Sequence, residues 1–134
     1  MKQVIQTKNA PAAIGTYSQA IQYGEFLYTS GQIGIDIETG KLVKGGIEIE
    51  TMRVLQNIEA ILKAADINKS HIIKLTVFLT DLSMFSSINQ SFEKFFDSLE
   101  FPARSTVEVS RLPQWILRSE EHTSELQSPC NLVC

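Results

Sequence analysis

The stretch FPARSTVEVSRLP at 101–113 contains the residue with the clearest chemical use. Arg104 stands two residues after Pro102, at the opening of a run with strand-like alternation, so a sheet would hold its guanidinium still. A planar guanidinium binds a carboxylate through two parallel N–H···O bonds, which makes recognition of a small carboxylate the chemistry on offer. For Arg104 alone, the competing reading is a surface arginine paired with Glu108 or another acid, and that is the commoner outcome for such a residue.

Other side chains could join it. Tyr17 follows a glycine loop and precedes an apolar hairpin, so its hydroxyl could enter a cleft; a half-buried tyrosine with a satisfied hydroxyl is the plainer alternative. Asn89 lies among aromatics in a helical pattern, where asparagine is a poor helix former, and it is either a polar contact or a solvent-facing residue. Ser30 and Thr106 offer hydroxyls in strands. Gly31 and Gly34 interrupt an apolar strand pattern, as happens where another backbone or a ligand comes close. His71 has no histidine or cysteine near it in sequence, so no metal site is expected. No dinucleotide, P-loop or nucleophile-elbow motif is present.

These residues need elements to position them. SQAIQYGEFLYTSGQIGID reads as two strands meeting at Tyr23-Gly24. Met52, Leu55, Ile58 and Leu62 recur at helical spacing, predicting a helix over about 47–65. HIIKLTVFLT alternates with Ile73, Leu75, Val77 and Leu79 on one face, and predicts a strand. Asp81 is a cap for a second helix, roughly 83–98, whose stripe is Met84, Phe85, Ile88, Phe92, Phe95 and Leu99. Phe101-Pro102 ends it, and STVEVSRL is the last strand. The expectation is an α+β domain over 1–117: a single mixed sheet with two helices packed on one face. Apolar residues on both faces of HIIKLTVFLT predict an oligomer covering the other face.

Composition narrows the functions. Hydrophobic residues make up 43% of the 134 and charged residues 20%, an ordinary folded-domain balance. Residues 1–117 carry 11 Lys and Arg against 12 Asp and Glu, scattered singly, so nucleic acid is an unexpected main partner. Both cysteines, Cys130 and Cys134, fall outside that body, leaving it no thiol for disulfides or catalysis. No apolar run has membrane-helix length and the N-terminus lacks a signal h-region, so the cytoplasm is the expected compartment.

YSQA at 17–20, SGQIG at 30–34, GGIEIETMRVLQNIEAIL, KLTVFLTDL, INQSFEKFF and above all FPARSTVEVSRLP together resemble the RidA (YjgF) family, in order over residues 1 to about 114. The resemblance implies a chorismate-mutase-like fold, a homotrimer with three clefts between subunits, and no cofactor. It implies a deaminase that hydrolyses 2-iminopropanoate and 2-iminobutanoate to 2-oxo acids and ammonia, pre-empting damage by 2-aminoacrylate. By the same resemblance, Arg104 clamps the substrate carboxylate, Tyr17 and Asn89 face the cleft and the Gly31 backbone lines it; Arg104 and Tyr17 are the expected catalytic residues, and Ser30 and Thr106 are expected to add substrate contacts. Thr106 stands where many members have cysteine. The alternatives are a non-catalytic trimeric carboxylate binder or chaperone-like protein, and, less favoured by the charge pattern, a ribonuclease or translation inhibitor.

The pattern departs from the family after RLPQ. A final strand of the type VEIEAIA, whose glutamate orients water, has no counterpart, and 118–134 is expected to be a non-native tail that leaves the sheet without its last strand. RSEEHTSELQS at 118–128 resembles, codon by codon, a translated short-read sequencing adapter. Resequencing the locus tests this: a native frame continuing into a VEIE-like strand supports it, and an unchanged frame refutes it.

Overall fold

The alternation of KLTVFL and the helical stripes on either side of it build the centre of the molecule. The computed structural model describes residues 1–112 and the backbone of Cys130–Val133. The elements run β1 (Gln3–Ile5), β2 (Ala20–Tyr23), β3 (Phe26–Thr29), β4 (Ile35–Asp36), β5 (Lys41–Leu42), α1 (Ile47–Ala64), β6 (Lys74–Leu79), α2 (Phe85–Phe96), β7 (Ala103–Glu108) and β8 (Cys130–Val133). β1, β2 and β3 form an antiparallel meander, with Gly24 at φ +62° in the turn after Tyr23. β6 and β7 are parallel, a pairing that needs a crossover connection such as the one α2 supplies.

Leu75, Val77 and Leu79 are completely buried, and they meet Val54, Leu55, Ile58 and Leu62 of α1 and Ile88, Phe92, Phe95 and Phe96 of α2. Each such side chain contributes about 1.5–3 kcal/mol through its burial. α1 also covers the meander, where Ile5, Ala10 and Ala20 pack on Ile61. Both helices therefore lie on one side of the strands. Asn57 joins α1 to β4 and the loop before it by donating to the Ile33 and Ile35 carbonyls at 3.2 and 3.1 Å. Gly34 lets that loop approach: a Cβ there would meet the Glu50 side chain at 2.6 Å.

The α+β class, mixed strands and both helices are as expected. Two details differ. Among the described residues the strands form three hydrogen-bonded sets, β1-β2-β3, β4-β5 and β7-β6-β8, where one continuous sheet was expected. The expectation that no strand follows β7 is also corrected: β8 pairs antiparallel with β6, Cys130 opposite Leu79 and Val133 opposite Thr76. Alternation was a poor guide there, because four residues provide too few positions to display a period. The reading of 118–128 as adapter-derived lies outside the described residues.

Candidate functional site

β7 places Arg104 and Thr106 beside Leu75 and Val77 of β6, so both side chains leave the sheet on the side covered by the helices. There α2 meets the arginine. The Arg104 guanidinium carbon lies 5.0 Å from the ring centroids of both Phe85 and Phe92. These rings are two turns apart on one stripe of α2, and Asn89 stands between them at i+4 from Phe85 and i−3 from Phe92. Arg104, Asn89 and Thr106 are each half-buried; Arg104 and Thr106 share one face of β7, and Asn89 lies on the α2 stripe whose two rings frame Arg104.

Aromatic faces attract a guanidinium but accept no ordinary hydrogen bond, so they hold the fork while leaving its N–H groups for a ligand. Burial pushes the Arg104 guanidinium below its usual value, and an arginine so shifted still carries its charge at neutral pH. Glu108, its expected competitor, accepts instead from the Leu82 N–H at 2.9 Å. That bond ties the end of β7 to the turn leading into α2.

The other expected residues collect elsewhere. Tyr17 and Gly31 line a cleft of about 890 Å³ with Pro11, Ile14, Gln32 and Ile37. The Tyr17 hydroxyl accepts from the Ile14 N–H at 3.3 Å, and Tyr17 is 41% exposed. Ser30 donates its hydroxyl to the Ser18 carbonyl, and its N–H to the Gln19 carbonyl at 2.9 Å, so it anchors the loop bearing Tyr17. Arg104, Asn89 and Thr106 are not among this cleft's walls. Within one chain the expected site residues thus fall into two groups, Arg104–Asn89–Thr106 and Tyr17–Ser30–Gly31.

Three contributors were not anticipated. Phe85 and Phe92 read as core, yet Phe85 is 40% exposed, lying over Arg104 on β7, the edge strand of its described sheet. The Phe-x3-Asn-x2-Phe spacing was the available signal. Gln19 is buried and staples the loop before Tyr17: its amide donates to the Thr7, Ala10 and Pro11 carbonyls at 3.1, 3.3 and 2.7 Å and its oxygen accepts from the Thr7 N–H at 2.7 Å.

The family model described as Endoribonuclease L-PSP matches residues 7–117. The RutC family protein PH0854 of Pyrococcus horikoshii is 50% identical over 87% of this chain and 92% of its own. A Bos taurus protein named 2-iminobutanoate/2-iminopropanoate deaminase is 43% identical over 85% of this chain and 82% of its own. The crystal structure of E. coli TdcF with bound serine superposes with a TM-score of 0.85 at 34% identity, covering 98% of this chain and 94% of that one.

Proposed function

The chain belongs to the Endoribonuclease L-PSP family, the RidA family of the sequence resemblance, and from that premise we propose that it hydrolyses 2-imino acids to 2-oxo acids and ammonia. The observation that carries this reading is Arg104, charged, partly desolvated and held by Phe85 and Phe92 with its N–H groups available to a carboxylate. The serine in E. coli TdcF is a ligand of the same chemical kind, small and bearing a carboxylate.

In this reading Arg104 binds the carboxylate of 2-iminopropanoate or 2-iminobutanoate, and the adjoining C2 is placed beside Asn89 and Thr106. Fixing a reactive electrophile in one pose supplies much of the catalysis. Water attacks C2 of the protonated imine, and the C=N π pair moves to nitrogen. A proton passes from the added oxygen to that nitrogen, the C–N bond breaks, and ammonia leaves with the electron pair. Loss of the remaining O–H proton gives the 2-oxo acid. No cofactor is required, because protonation already activates C=N. Tyr17, brought by a neighbouring subunit, would hold the water with its hydroxyl.

A homotrimer joins the two residue groups in this reading. The meander face turned away from α1 carries Val4, Tyr23, Phe26 and Tyr28, each at least half exposed, and supplies apolar surface for such contacts. A second reading, binding of carboxylates without turnover, is favoured by one observation: CNLV of β8 contains no acid to stand for the family's water-orienting glutamate. Ammonia release from 2-iminobutanoate, with the chain as it is and with 118–134 replaced by a VEIE-type strand, separates them. Turnover in either chain supports the deaminase; butanoate binding without turnover in both supports the binder.

A further inference from the structure

α1, α2 and the loop before α1 flank an open second cleft of about 250 Å³, made by Val43, Glu48, Ile49, Met52, Arg53, Gln56, Ser91 and Lys94 and sharing no residue with the groups above. Glu48, Met52, Arg53 and Gln56 follow one helical stripe, and Ser91 and Lys94 are one turn apart on α2. Ser91 bridges the helices by donating to the Glu48 carbonyl at 3.4 Å. Two cations against one carboxylate leave the cleft net positive. Among the described residues Arg53 Nε is buried without a hydrogen-bond partner, an arrangement that costs free energy unless an acceptor completes it.

We propose that this cleft binds a small carboxylate with a short apolar chain. Arg53 is the anchor, Lys94 adds charge from the facing helix, and Val43, Ile49 and Met52 form the apolar wall. The Glu48 carboxylate selects against multiply charged anions.

The test is butanoate titration of the full-length chain carrying Arg104→Ala, which silences the other carboxylate group, followed by ligand-observed NMR. The expected result is saturable binding that weakens about tenfold on adding Arg53→Gln, the scale of one charged hydrogen bond. Lys94→Gln should weaken it about threefold, as an exposed charge does. Inorganic phosphate should not compete. No saturable binding, an affinity unchanged by either substitution, or tighter binding of phosphate than butanoate would overturn the proposal. Lys94 is exposed, so its variant remains interpretable even where Arg53→Gln disturbs the helix.

Discussion

Arg104 and Tyr17 stand on backbones of different kinds. Arg104 is held by a strand paired along six residues and by two rings of a packed helix, so both its origin and its direction are set by regular structure. Tyr17 rides on a loop whose shape depends on the side-chain bonds of Gln19 and Ser30. The charged group, proposed above to bind the substrate carboxylate, is in the stiffer half. The hydroxyl group sits on the more adjustable half, and in the proposed homotrimer a site divided in this way would be assembled by association.

The largest effect that probes this division is Arg104→Ala. It should lower kcat/KM for 2-iminobutanoate by about 10²–10³-fold, as removal of a principal electrostatic contact does, without moving the urea midpoint greatly. Mixing Arg104→Ala subunits with Tyr17→Ala subunits should then recover activity that neither parent has. Absence of recovery in mixed oligomers would place both groups in one subunit's site and break the comparison.

Gln19→Leu comes next. It keeps the volume but strands backbone groups of Thr7, Ala10 and Pro11, and should cost about 1–3 kcal/mol in denaturant unfolding while raising KM more than it lowers kcat. Asn89→Ala should leave folding intact and reduce kcat/KM about tenfold, the loss of one hydrogen bond to the bound molecule. An equal stability loss in Asn89→Ala and Gln19→Leu would erase the distinction between a ligand contact and a loop staple.

The smallest effect concerns Asp81, whose carboxylate accepts from the Ser83 N–H at 2.9 Å before α2. Hydrogen bonding to Ser83, side chain then backbone, lowers its pKa below the ordinary 3.8. Because the folded value lies below the unfolded one, its stabilisation is present above pH 3.8 and fades as pH falls through the folded value. Urea unfolding of Asp81→Asn against the parent should show a difference near neutral pH that disappears in acid. A difference independent of pH would remove the carboxylate charge from the account.

Much of the fold was legible because the buried faces have strong periods: Leu75, Val77 and Leu79 alternate, and α2 repeats its phenylalanines at helical steps. Arg104 was legible as a residue type in a strand. Its neighbours were not, because a sequence stripe does not say which strand lies beneath each of its residues, and Phe85 lies over Arg104 on the edge strand. Gln19 was silent for a similar reason: its partners are carbonyls, which every residue has. Arg53 escaped notice because its burial depends on Met52, Ser91 and the two helices meeting, a tertiary fact. β8 was too short to show a pattern.

The central claim is that Arg104 clamps the carboxylate of an imino acid undergoing hydrolysis. Its most direct test is ammonia release from 2-iminobutanoate generated by a threonine dehydratase, with the parent chain and Arg104→Ala side by side. The account predicts acceleration by the parent and a rate near the uncatalysed one with the variant; equal acceleration by both would contradict it.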